Sequence, residues 1–140
     1  MRVSLDEIAK NYPPTRAHTL DAGIDLYSPV SVKIGMCNSA VIDTGVHVEI
    51  PEGYAGVLIS KSGLNTKHSI TSTGLIDSGY TGSIKAKLYN HSRKPYTVEI
   101  GDKITQLVII PIEYASVEIV DSIEDVESER GNNGFGSTGR

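Results

Sequence analysis

Val46-His47-Val48-Glu49-Ile50 alternates apolar and polar residues and ends at Pro51. Side chains of period two point to opposite faces of an extended chain, so this stretch reads as a strand with one face buried. The pattern recurs downstream in Ile84-Lys85-Ala86-Lys87-Leu88 and in Tyr96-Thr97-Val98-Glu99-Ile100. Tyr54–Ile59 and residues 104–112 are more continuously apolar, as expected of strands covered on both faces. Turn signals separate these runs at Pro51-Glu52-Gly53, Asp77-Ser78-Gly79, Asn90-His91-Ser92 and Gly101-Asp102. Many short strands at such spacing predict an all-β barrel or sandwich.

Helix is scarce. Ser4-Leu5-Asp6-Glu7 fits a capping box, but Pro13-Pro14 ends whatever begins there. Ser62–His68 is long enough for one or two helical turns. Residues 118–129 carry six carboxylates and read as a solvated spacer. They lead to a last segment, Arg130-Gly131-Asn132-Asn133-Gly134-Phe135-Gly136-Ser137-Thr138-Gly139-Arg140, which holds the only phenylalanine of the chain. So much glycine makes self-ordering expensive in backbone entropy. One ring, one leading arginine and two hydroxyls suit a flexible flap that covers a planar, anionic ligand.

Bulk composition excludes several classes. A length of 140 residues suits one domain with one core. A net charge of −4 and the absence of a basic stripe argue against nucleic acid as the main partner, though not against a small phosphorylated ligand. The single cysteine, Cys37, rules out a disulfide framework and a CxxC metal knuckle. No apolar run approaches the roughly 20 residues of a membrane-spanning helix, so no membrane role and a reducing, cytoplasmic setting are expected. Asn90-His91-Ser92 matches a glycosylation sequon but reads as a turn.

Some motif matches carry nothing. Gly134 to Gly139 spells GxGxxG, yet the chain ends one residue later, with no helix or βαβ unit to use it. Lys61-Ser62 resembles the end of a P-loop without its glycines. His18, His47, His68 and His91 have no metal-binding spacing, and His47, on the polar phase of its strand, reads as exposed. Cys37 has no evident partner for a nucleophilic dyad.

Five segments remain in which glycine accompanies a reactive or polar residue: Ala22-Gly23-Ile24-Asp25-Leu26, Ser60-Lys61-Ser62-Gly63-Leu64, Gly74-Leu75-Ile76-Asp77-Ser78-Gly79-Tyr80-Thr81-Gly82, Gly101-Asp102-Lys103-Ile104-Thr105-Gln106-Leu107, and the glycine-rich terminus from Arg130. Each alone is ordinary; an aspartate beside glycine is usually a turn residue. In this order, on a β chain of this length, they resemble the five motifs of the trimeric deoxyuridine triphosphatases (dUTPases). The third and fifth are the specific ones, and the resemblance runs from about Pro14 to the end.

The resemblance implies a jelly-roll-like distorted β-barrel with one short helix over residues 1–129 and a flexible C-terminal flap over residues 130–140. It implies a homotrimer with shared active sites that hydrolyses dUTP to dUMP and pyrophosphate with Mg2+. Asp77 is then the general base. Tyr80 is the ring beneath the deoxyribose, leaving no room for a 2′-hydroxyl. Lys61, Ser62, Gly63 and Gln106 serve the α and β phosphates. Gly74 and Ile76 belong to the strand whose backbone reads the base. On the flap, Arg130, Ser137 and Thr138 clamp the γ-phosphate, Gly136 accompanies them, and Phe135 stacks on uracil. Asp25 holds metal-bound water as an outer-shell contact.

Two departures stand out: the second motif usually has arginine where this chain has Lys61, and the stretch from His68 to Gly74 is short. Thr71 and Ser72 lie in that stretch and carry no assignment. The rival readings are a dCTP deaminase of the same fold, which needs a glutamate that the third motif lacks, and a binding or regulatory module. Phage-borne members of the family are the ones in which a regulatory protein partner is expected.

Overall fold

The computed structural model describes residues 1–123, and the proposed flap with Arg130, Phe135, Gly136, Ser137 and Thr138 lies outside the described residues. The elements are β1 (Val3–Leu5), β2 (Ile24–Tyr27), β3 (Val32–Ile34), β4 (Ser39–Asp43), β5 (Val46–Val48), β6 (Tyr54–Ile59), α1 (Ser62–His68), β7 (Ile70–Ile76), β8 (Lys85–Asn90), β9 (Tyr96–Val98) and β10 (Lys103–Pro111), with a 3-10 turn at Ile8–Asn11. The chain is therefore mostly β with one short α-helix, as the alternation predicts.

Six strands form one sheet in the order β2-β10-β6-β7-β8-β4, and two ribbons, β1-β5 and β3-β9, complete the layers. All strand pairs are antiparallel. Each ribbon closes one half of the curled sheet. Val46 and Val48 of β5 pack with Leu26, Leu58, Ile76, Ile84 and Leu107. Ile34 of β3 and Val98 of β9 pack with Ile42, Ile70, Leu88 and Ile104. Between the two apolar clusters runs a hydroxyl seam. Ser72 Oγ and Thr105 Oγ1 lie 2.8 Å apart, Thr105 Oγ1 donates to the Ile59 carbonyl, and Ser60 Oγ joins the β7 backbone at Ser72. Each hydroxyl is paired, as buried polar groups must be to avoid a desolvation penalty.

Three expectations need correction. The capping box does not form: Ser4 pairs with His47 within the β1-β5 ribbon, and the following 3-10 turn has Glu7 at its N-cap without a side-chain hydrogen bond. Strand pairing of the flanking residues overrides the local capping signal. β6 and β10 are covered on both faces only centrally, since Tyr54, Ile59 and Ile110 stay exposed at their ends. His47 is not simply exposed but partly covered and bonded at both ring nitrogens. No helix among the described residues is long and apolar enough to cross a membrane.

Candidate active site

Asp25 is the most buried charged residue of the site, at 4 % exposure. It sits on β2 directly opposite Gln106 of β10. Its two oxygens are taken separately, Oδ1 by Lys61 Nζ at 2.5 Å and Oδ2 by Lys103 Nζ at 2.9 Å. Burial alone would push this carboxyl up. Hydrogen bonds and charge from Lys61 and Lys103 more than offset it and hold Asp25 below the ordinary carboxylate range. Asp25 is therefore an anion at neutral pH, and its partners lie on other strands and loops rather than within its own turn.

The β10 register shifts between Lys103 and Thr105 opposite Tyr27 and Leu26. The extra residue, Ile104, lets two consecutive side chains, Ile104 and Thr105, be buried while Lys103 reaches back to Asp25. Gln106 donates to the Ser60 carbonyl at 3.1 Å. Gly23 makes room for it, because a Cβ there would lie 2.1 Å from Gln106 Oε1. Lys61 caps α1 in extended geometry and makes no side-chain bond to the helix, its ammonium going to Asp25 instead. The first amides of a helix have no intrahelical acceptor, so Ser62 and Gly63 present backbone N–H groups next to Lys61. Asp25, Lys61, Ser62, Gly63 and Gln106 thus gather at one end of β6, with two ammonium groups and several N–H donors around one carboxylate.

The other residues gather elsewhere. β7 carries Gly74 and Ile76 and ends at Ile76, after which Asp77 opens a turn closed by the Tyr80 amide on the Asp77 carbonyl at 3.2 Å. Gly79 holds φ +83°, the left-handed conformation that such a turn requires and a side chain resists. Among the described residues the Asp77 carboxylate has no hydrogen-bonded partner, so it does not cap its own turn. Tyr80 is 44 % exposed, which removes it from the core; its hydroxyl donates to the Ser83 carbonyl. Gly82 lies under that ring, where a Cβ would come within 2.4 Å of the Tyr80 hydroxyl. Ser72 is buried and committed to the hydroxyl seam, and Thr71 Oγ1 bonds His91 Nε2.

The two groups are far apart in one chain. Ile76 pairs with Gly56, and Thr73 with Ile59, so Asp77 follows at the level of Ala55 near the start of β6, while Lys61 lies beyond its end. At about 3.3 Å per residue, the six positions from Ala55 to Lys61 span roughly 20 Å.

Comparison with known proteins settles the kinship. The dUTPase family model matches residues 10–139. The chain belongs to the dUTPase family. It is 43% identical over 129 residues to the deoxyuridine 5'-triphosphate nucleotidohydrolase of Clostridium acetobutylicum, covering 90% of this chain and 88% of that one. It is 39% identical to the Leifsonia xyli enzyme of the same name, covering 98% and 91%. Among solved structures, the Staphylococcus bacteriophage 80alpha dUTPase with dUPNHPP superposes with a TM-score of 0.86 at 34% identity over 99% of both chains. The dUTPase of the S. aureus phage phi11 gives 0.79 at 33% identity, over 89% of this chain and 98% of that one.

Lys103 is the site residue that sequence reasoning left unassigned. It stands within the fourth dUTPase motif, but its role depends on the β2–β10 register and the bulge, which no local pattern announces.

Proposed function

We propose that this dUTPase hydrolyses dUTP to dUMP and pyrophosphate by in-line attack of water on the α-phosphorus, lowering dUTP and supplying dUMP for thymidylate synthesis. Asp77 accepts a proton from the water as its oxygen bonds to the α-phosphorus. The bond from that phosphorus to the oxygen bridging to the β-phosphorus breaks, and pyrophosphate leaves with the electron pair. An exposed carboxylate unengaged in its own turn fits that task. The exposed face of Tyr80 would lie under the deoxyribose and exclude a 2′-hydroxyl, while Gly74 and Ile76 present backbone groups to the base.

The observation that carries the reading is the division of the site residues between the two ends of β6. A single chain of this shape cannot place Asp77 and Lys61 on one triphosphate, whereas a symmetric assembly of copies can. A homotrimer, with Asp77 from one subunit, the Asp25–Lys61–Gln106 group from a second and the 130–140 flap reaching the same site, meets that requirement. Lys61 has three N–H donors, so binding Asp25 still leaves two for phosphate. Ser62, Gly63 and Gln106 add donors where the leaving group gains charge. On the flap, Arg130, Ser137 and Thr138 would hold the γ-phosphate, with Phe135 and Gly136 over the base.

Mg2+ fits this arrangement as an outer-shell partner. No cluster of three or more metal-ligating side chains exists among the described residues, but Asp25 is a buried carboxylate kept ionised and suited to accept from metal-bound water. Bound mainly through phosphate oxygens and water, the ion would neutralise triphosphate charge, with Asp25 accepting from its water.

Incubation with dUTP, dCTP and UTP, followed by pyrophosphate release and nucleotide chromatography, tests the assignment. Pyrophosphate and dUMP are expected from dUTP alone. Formation of dUTP from dCTP would overturn it in favour of a deaminase.

A further inference from the structure

His47 joins three parts of the chain. Its Nδ1 lies 2.8 Å from the Thr81 carbonyl oxygen and its Nε2 lies 3.1 Å from Asp6 Oδ1. Both partners are acceptors, so the ring makes both bonds only as an imidazolium with a proton on each nitrogen. The neighbours Val46 and Val48 point into the core, so strand alternation fixes His47 outward, toward the turn after β7. Thr81 follows Tyr80 directly.

Among the described residues, the ribbon holds the chain just after that turn at Ile84, whose amide donates to the Val46 carbonyl at 2.8 Å, and holds the turn itself through His47. Between the turn and the β1-β5 ribbon lies a cavity of about 440 Å3, lined by Ser4, His47, Val48, Gly79, Tyr80 and Thr81. Where packing is open, a directed hydrogen bond decides placement. On the other side, Ser83 Oγ donates to Asp43 Oδ1, which also accepts the Gly45 amide. The turn is thus moored at Thr81 by His47, at Ser83 by Asp43 and, just beyond it, at Ile84 by Val46 and Thr44.

We propose that His47 is a positioning residue: braced by Asp6, its imidazolium holds the Thr81 carbonyl and so sets where Asp77 and Tyr80 present themselves to substrate. This rests on the roles given above to Asp77 and Tyr80. The Thr81 carbonyl, and after it Asp6, raise the imidazole pKa above its ordinary value; partial burial opposes them and Asp43 adds to them. The other charges lining this cavity, Arg2 and Glu49 at the end of the ribbon, are paired with each other. A raised histidine pKa means that the clamp's contribution is complete below about pH 6.5 and is lost as pH climbs through the raised value.

His47→Ala and His47→Asn test it, the asparagine amide standing in for Nδ1 toward Thr81 without titrating. With dUTP and UTP from pH 6 to 9, His47→Ala is expected to lower kcat about tenfold and to weaken the preference for dUTP. His47→Asn recovers kcat to within about threefold and loses the alkaline fall due to His47. A wild-type kcat and preference in His47→Ala, or an asparagine variant as impaired as the alanine one, would overturn the proposal. Imidazole NMR of the unmodified enzyme decides independently of whether the variants fold. Protons on both nitrogens at pH 6, with a midpoint above the ordinary value that Asp6→Asn lowers, support the clamp; a midpoint at the ordinary value sinks it. That titration does not depend on Asp77, so a failed base assignment and a failed clamp give different results.

Discussion

Asp77→Asn lowers kcat for dUTP by about three orders of magnitude while the non-hydrolysed analogue dUpNHpp still binds with near-normal affinity. The amide keeps the size of the carboxylate and its place at the end of β7 but accepts no proton from water. The turn survives, because it is closed by the Tyr80 amide on a backbone carbonyl and by the conformation of Gly79, not by the Asp77 side chain. Folding and substrate docking should therefore be spared. Steady-state kinetics with calorimetric titration of the analogue checks both halves. An unchanged kcat excludes Asp77 as the base, and loss of analogue binding shows that the carboxylate positions substrate instead.

Ending the chain after Glu129 is expected to lower kcat/KM by about 10³-fold, in the range seen when an arginine finger is withheld. The reason is additive chemistry proposed for one segment: Arg130 would supply charge at the γ-phosphate, Ser137 and Thr138 would supply donors, and Phe135 would exclude water over the base. The two apolar clusters formed by the described residues are built mainly from strand residues, so the melting temperature and strand content are expected to stay close to those of the full chain. Circular dichroism and sedimentation, run beside the kinetics, separate a lost flap from a lost fold. Full activity of the shortened chain would remove the flap from the mechanism.

The strands were legible because one-sided burial writes a period of two into the sequence, as at residues 84–88, where Ile84, Ala86 and Leu88 are all fully buried. The helix at Ser62–His68 was legible for want of any strand pattern there. What stayed hidden is non-local. Ser4 looked like a helix cap because its pairing with His47 lies 43 positions away in the chain. Lys103 looked like a motif companion until a bulge aimed it at Asp25. His47 has nothing in its vicinity to announce Asp6 and Thr81, 41 and 34 positions off. The motif residues could be read one by one, but their separation into two groups follows from the antiparallel register of β6 and β7.

That separation has a genetic meaning. If Asp77 and Lys61 of one chain serve different sites, two defective alleles need not be defective together. Asp77→Asn chains and Lys61→Ala chains, each nearly inactive alone, would form mixed assemblies in which some sites take Asp77 from one parent and Lys61 from the other. Unfolding and refolding the two variants together should then restore a measurable fraction of wild-type turnover, whereas mixing them without subunit exchange should restore none. Recovery would show that the unit of heredity and the unit of catalysis differ here, and its absence would return both residues to a single chain.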